Sequence, residues 1–201
     1  ARNEDDLGRL KEEVESIADV KVDVKVVDVA NKEAINKFAD FINSLGDVDV
    51  LVNNAGVFIP GQVHNEEEGM LEKMIDTNLY SAYHLTRKLI DGMINRKAGH
   101  IFNICSTASI TPYVNGGSYC ISKYAMLGMT KVLREEMKEH DVKVTAIMPG
   151  ATLTASWEGV ELPEDRFMKA DDVADAVHAA YGLSKSAVIE EIVMRPQLGD
   201  I

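Results

Sequence analysis

Long apolar runs are missing from this 201-residue chain. Its most hydrophobic stretches fall short of the roughly 20 residues a helix needs to cross a bilayer, and no charged-then-apolar leader opens it. Positive charge is scarce: 21 Lys and Arg stand against 33 Asp and Glu, a net charge of −12. That balance argues against nucleic acid and anionic membrane surfaces as partners. We therefore expect a cytoplasmic protein. Cysteine is nearly absent; Cys105 and Cys120 lie in or beside core-like segments without metal-ligand spacing, so buried reduced thiols are expected. The five histidines, His64, His84, His100, His140 and His178, form no i, i+4 pair and no cluster with carboxylates, so no metal site and no catalytic histidine is expected. Repeats, low-complexity tracts and Pro/Gly linkers are also missing. A hydrophobic content of 46% can bury one sizeable core, so a single domain over 1–201 is expected.

What is present is alternation. Leu7, Leu10, Val14 and Ile17 recur at helical spacing, and K-V-D-V-K-V-V-D-V (residues 21–29) alternates as a strand would. Asn31 can cap a helix whose apolar face is Ile35, Phe38, Ile42 and Leu45. V-D-V-L-V predicts a strand that ends in N-N-A-G at residues 53–56, and a long helix is expected over about 66–95 with Asn78 inside it. H-I-F-N-I-C, V-K-V-T-A-I-M and V-I-E-E-I-V-M predict further strands, separated by helices near 119–140 and 170–181. Strands alternating with such helices imply an α/β fold, doubly wound, with a mostly parallel sheet covered on both faces. Ligands collect beyond the carboxyl ends of such strands, where Asp28, residues 53–56, Ser106 and residues 149–154 fall.

The chemistry concentrates between Ser106 and Lys123. Lys123 follows Tyr119 by four residues in a run that reads as a helix, so phenol and ammonium share a face. A neighbouring cation is expected to lower the pKa of the phenol, making it able to hand a proton to a carbonyl oxygen and take it back. A strand-end serine more often satisfies local backbone groups, but Ser106 precedes the tyrosine helix and can donate to the same oxygen. A mid-helix asparagine such as Asn78 is by itself a weak helix former on a surface. A second Y-x-x-x-K, Tyr181 and Lys185, spans Gly182 and Ser184 and reads as a helix ending. The acidic run 66–68 reads as a solvated helix start. Tyr113, Phe58, Met148 and Trp157 fall in loops that would wall a substrate site, or merely pack there.

These motifs resemble, in order and spacing, those of the short-chain dehydrogenase/reductase family. The match runs from residue 1 to 154: Asp28-Val29, N-N-A-G, Asn78 in T-N-L, Ser106 thirteen residues before Tyr119, Y-x-x-x-K, and P-G-x-x-x-T at 149–154. The resemblance implies a Rossmann-type sheet and a nicotinamide cofactor. It implies a catalytic set of Asn78, Ser106, Tyr119 and Lys123, with Tyr119 as proton donor and Asn78 in a kinked turn that holds a water. It further implies that Asp28 and Val29 contact adenine, that Asn54, Ala55 and Gly56 line the cofactor together with Tyr119 and Lys123, and that Pro149, Gly150, Thr152 and Thr154 hold its nicotinamide end. Substrate would meet Ser106, Tyr113, Tyr119 and Trp157.

The family opens with a strand, a glycine-rich phosphate loop and a helix, and no such loop occurs in these 201 residues. The first βαβ unit is therefore expected to precede residue 1, about 35 residues judged from the usual size of that unit. On the family pattern Ala1 stands where NAD enzymes carry an acid, and Arg2 follows, which favours NADP(H) over NAD(H). Within the family both ends of the chain are similar to bacterial sepiapterin reductases, with Asp200 as a candidate anchor for a pterin. The middle suits a 3-oxoacyl-acyl-carrier-protein reductase nearly as well. The expected activity is reduction of a small-molecule carbonyl, the alternative a non-catalytic dinucleotide sensor or scaffold. A homodimer or homotetramer is expected from the family's habit of pairing its two long helices.

Overall fold

Asn3 and Asn31 each stand just before a helical repeat, and in the computed structural model, which describes residues 1–157 and 159–201, Asn31 caps as the sequence predicts and Asn3 does the same. The Asn3 side chain accepts from the Asp5 and Asp6 N–H groups and opens α1 (Glu4–Ile17); that of Asn31 accepts from Glu33 and Ala34 and opens α2 (Lys32–Leu45). Four strands follow: β1 (Val50–Asn53), β2 (Gly99–Ile104), β3 (Val142–Pro149) and β4 (Glu191–Met194). They pair in that order and all in parallel, with Asn53 opposite Asn103 and Ile104 opposite Ile147. Parallel neighbours need long crossovers, supplied here by α3 (Met70–Ile75), α4 (Ser81–Arg96), α5 (Gly117–Met137) and α6 (Ala170–Tyr181).

Strand alternation sends each buried residue to one of two layers. Leu51, Ile101, Val142 and Val144 meet Leu89, Ile90 and Met93 of α4 and Met137 of α5. Ala146 and Met148 meet Met126 and Leu127 of α5. On the opposite face Phe102 and Ile147 pack against Ala180, Val173 and Val177 of α6. The sheet is thus covered on both faces, as expected of a doubly wound α/β fold. Cover on the α6 side stops short of β1: Val52 is 43% exposed and borders an apolar cleft of about 740 Å³ between β1 and α6.

Two expected elements differ. Residues 21–29 form no ladder; the Val27 N–H bonds Ala1 O at 2.9 Å, outside the sheet. Alternation sets which way side chains point, but a strand also needs a neighbour for its backbone groups, and none flanks this segment among the described residues. The continuous helix expected from 66 to 95 starts only at Met70, after Gly69 at φ +89°, where any side chain would be strained. It then widens into one π turn, Asp76–Tyr80, before α4 resumes. Met148, expected at the mouth of a site, is fully buried in the core.

Candidate active site

A ladder of buried amides and hydroxyls fixes the carboxyl ends of β1 and β2. Asn53 donates to Asn103 Oδ1 (2.8 Å) and Thr86 Oγ1 (3.0 Å), and Asn103 donates to Thr130 Oγ1 (2.9 Å). Four elements, β1, β2, α4 and α5, are thereby locked to one another where the chain leaves the sheet. Each buried amide and hydroxyl in the ladder finds a partner, which is the condition for such a network to stabilise a core.

Past Asn53 the backbone runs through Asn54, Ala55 and Gly56 toward Asn78. The π turn aims the buried Asn78 side chain inward: Oδ1 accepts from Val57 N–H (2.7 Å), while Nδ2 donates to Val57 O (3.0 Å) and Ser122 Oγ (2.9 Å). Ser122 in turn donates to Tyr119 O at 2.8 Å. A π turn is a frequent mark of a functional site, and here it frees an amide to grip a loop. Gly56 passes so close that a methyl group on it would lie 3.4 Å from Asn78 Oδ1 and 3.6 Å from Lys123 Nζ.

Ser106 follows β2 in extended conformation and caps a short 3₁₀ turn, Thr107–Ser109. Its oxygen accepts from Ala108 N–H at 3.1 Å, which leaves its own hydrogen to be donated elsewhere. Facing it, Tyr119 stands in the first turn of α5, its ring meeting Phe58 edge-on at 5.0 Å between centroids. Lys123, one turn further, is buried and donates to Ile104 O at 2.8 Å. Its other two N–H groups have no protein partner among the described residues. Burial lowers the pKa of Lys123 to about 8, with the Cys105 thiol pulling the other way.

Sequence spacing predicts that Lys123 lowers the pKa of the Tyr119 phenol, and the structure corrects this. Burial pushes the Tyr119 phenol up, and the Ser106 hydroxyl works against it. The ammonium is aimed at Ile104 O and lies 5.9 Å from the centre of the tyrosine ring, so desolvation wins. Partial desolvation of its hydroxyl also pushes up the Tyr113 phenol, although about half of that residue is exposed.

Ser106, Tyr119 and Lys123 border one cavity of about 570 Å³ at the open end of the sheet. Gly56, Tyr113, Trp157, Pro149, Gly150, Thr152 and Thr154 border it too. Asn78 lies behind Gly56 and acts on the cavity through that strand of backbone. Asn54 instead faces the apolar cleft beside α6, which Pro149, Thr152 and Thr154 also reach. Ala55 is exposed and borders neither cavity. Arg2, Asp28 and Val29 lie apart from both; the Asp28 side chain accepts from Ala30 N–H (3.1 Å) in a turn. Tyr181 ends α6, and Gly182 follows as its C-cap, so the second tyrosine-lysine pair lies on no common helix. Both cysteines are free and buried. Among the described residues there is no helix able to cross a membrane and no cluster able to hold a metal.

Two participants, Ser122 and Glu66, escaped the sequence, whereas Asp200 is a candidate there already. Ser122 joins Asn78 to the tyrosine backbone through a contact 44 residues apart, which no local pattern announces. Asp200 borders the cavity, held by Arg195 at 3.0 Å, with Gly150 so near that a methyl group there would lie 3.1 Å from Asp200 Oδ1. Glu66, expected in a solvated helix start, accepts instead from the Ser118 N–H at 2.8 Å.

The residues present suit the nicotinamide end of a dinucleotide. Buried Lys123 has N–H groups to spare beside a glycine whose backbone a ligand can approach, and the walls are mostly apolar. These 201 residues include no glycine-rich loop for a pyrophosphate.

Comparison with known proteins agrees. Residues 1–165 match the family described as short chain dehydrogenase. The sepiapterin reductase of Chlorobaculum tepidum is 32% identical over 181 residues, which span 89% of this chain and 74% of that protein. Among solved structures, an alcohol dehydrogenase from the archaeon Thermococcus sibiricus complexed with 5-hydroxy-NADP superposes with a TM-score of 0.91 at 25% identity, over 100% of this chain and 85% of that one. A metagenomic short-chain oxidoreductase in complex with NADP gives a TM-score of 0.84 at 29% identity, over 98% and 83%.

Proposed function

This chain belongs to the short-chain dehydrogenase family, a nicotinamide-dependent oxidoreductase, and from that premise we propose that it is an NADP(H)-dependent reductase of a small-molecule ketone in which Tyr119 is the proton donor. The observation that carries the reading is the convergence of Ser106, Tyr119 and Lys123 on one cavity.

Bound reduced nicotinamide supplies a hydride to the carbonyl carbon. The protein supplies the proton and the geometry. Burial keeps the Tyr119 phenol protonated, the state required of a donor to the oxygen that becomes a hydroxyl. Ser106, its oxygen already occupied by Ala108 N–H, donates a second hydrogen bond to that carbonyl oxygen. Lys123, with a pKa of about 8, changes protonation near neutral pH and is able to return a proton to the phenol. Asn78 holds the Gly56–Val57 backbone against the site and, through Ser122, the backbone of Tyr119. Pro149, Gly150, Thr152 and Thr154 hold the nicotinamide end. Tyr113 and Trp157 bound the substrate.

Substitution Tyr119→Phe tests this. We expect NADPH oxidation with a panel of diketones, pterins and acyl thioesters to fall by about 10³-fold, the scale of lost acid catalysis, with NADPH binding unchanged. Retained turnover refutes the assignment.

Finer specificity rests on two side chains. Arg2 is exposed, with no ion pair among the described residues, and suits a 2′-phosphate. The NADP complexes of the two solved relatives favour the same cofactor. Arg2→Asp is expected to reverse a preference for NADPH over NADH. Asp200 at the cavity wall suits the amino and ring N–H groups of a pterin, in keeping with the sepiapterin reductase relative. Preference for acyl thioesters in the same panel would favour an acyl-carrier-protein substrate instead. Exposed Tyr83, Tyr124 and Val132 on α4 and α5 favour assembly of copies through those helices, as dimer or tetramer, and a monomer by light scattering would overturn that.

A further inference from the structure

The helix that carries Tyr119 begins without a cap of its own. Gly116 stands at the N-cap position of α5 with no side chain to accept, and Gly117 and Ser118 follow, a weak helical start. Tyr119 is the next residue, so fraying of this turn would move the phenol directly.

A carboxylate 52 residues away in the sequence supplies the missing acceptor. Glu66 Oε1 accepts from Ser118 N–H at 2.8 Å, and the Ser118 hydroxyl donates to Glu66 Oε2. The approach is tailored on both sides. A methyl group on Gly117 would lie 1.8 Å from Glu66 Oε1 and 2.6 Å from Gly61 O, and one on Gly61 would lie 2.6 Å from Glu66 Cγ. Gly61 N–H bonds Asn115 O at 3.0 Å, and Gln62 Nε2 donates to Asn115 Oδ1 at 2.7 Å, so the same loop also holds the segment just before the helix. Negative charge at this end of a helix is favoured by the aligned peptide dipoles as well as by the N–H groups it accepts from.

We propose that Glu66 is a positioning residue for the reaction, a cap supplied by a distant loop that orders the first turn of α5 and so fixes the Tyr119 phenol opposite Ser106. The role in catalysis rests on the reading of Tyr119 as proton donor, whereas the ordering of the turn does not. Glutamine retains one oxygen for the Ser118 N–H, so Glu66→Gln preserves the cap, and Glu66→Ala removes it.

The test measures amide hydrogen exchange across residues 116–121 in the protein without cofactor, beside kcat, KM and NADPH affinity for wild type, Glu66→Ala, Glu66→Gln and Tyr119→Phe. In Glu66→Ala exchange in this segment should quicken at least tenfold while the rest of α5 keeps its protection. Its kcat should fall about 10- to 100-fold with NADPH affinity within twofold, and Glu66→Gln should restore both quantities to within about threefold of wild type. Unchanged exchange in Glu66→Ala overturns the proposal, as does quickened exchange with undiminished kcat, or a Glu66→Gln variant as impaired as Glu66→Ala. An active Tyr119→Phe variant sinks the functional reading instead, and the exchange result then still decides whether Glu66 orders the turn.

Discussion

Two buried bases lie at opposite ends of β2. Lys123 donates to Ile104 O at the carboxyl end, and His100 stands near the amino end, about 13 Å away by the usual rise of a strand. Burial depresses both: Lys123 to about 8, and His100 to about 4 with help from the Lys143 charge. Their surroundings differ. His100 stacks on Phe102 at 3.8 Å, shares a 2.7 Å hydrogen bond with Thr145 Oγ1, and leaves Nδ1 against protein with no partner among the described residues. Lys123 borders a cavity with N–H groups to spare. A perturbed pKa therefore marks a site only where the group also meets space that a ligand can enter.

The sharpest way to break this contrast is to delete each base. Lys123→Met should lower kcat/KM for carbonyl reduction by about 10²- to 10³-fold, within the range of acid–base catalysis, and His100→Leu should leave it within about twofold. Equal losses would erase the distinction. Ser106→Ala should cost about 10²-fold, the usual loss for one donor to a developing oxyanion, read in the same assay.

Stability against pH sharpens the contrast from the other side. His100 has a lower pKa folded than unfolded, so its contribution is complete above about 6.5 and is lost as pH falls through about 4. That loss amounts to about 3 kcal/mol, and urea unfolding of His100→Leu should show a flatter acid limb. Lys123 is likewise depressed, from 10.5 to about 8, so the unfolded chain binds the extra proton between those values. In the cofactor-free protein stability should rise by about 3 kcal/mol from pH 8 to 10.5, and Lys123→Met should abolish the rise. Smaller still, Asn53→Ala should cost about 1–3 kcal/mol by leaving Asn103 and Thr86 short of a buried partner.

What could be read from the sequence follows the range of the interactions. The Asn31 cap, the strands from β1 to β4 and the spacing of Ser106, Tyr119 and Lys123 are local patterns, and the structure brings those three side chains to one cavity. The widened turn at Asn78 is legible only through family resemblance, because the side chain it aims grips Val57, 21 residues away. Residues 21–29 carry a clear alternation without a ladder, since pairing depends on a neighbour and not on the segment itself. Glu66 read as an exposed helix start because acidic residues suit such a position, and nothing local distinguishes a carboxylate that caps its own helix from one that caps another. The direction of the Tyr119 shift was likewise set by burial, a tertiary quantity.

The most direct measurement is a crystal structure of the protein with NADP+. The account predicts the nicotinamide in the cavity bounded by Ser106, Tyr119 and Lys123, with Gly56 backbone against it. A nicotinamide seated elsewhere, such as the apolar cleft beside α6, with the phenol of Tyr119 remote from it, would contradict the account.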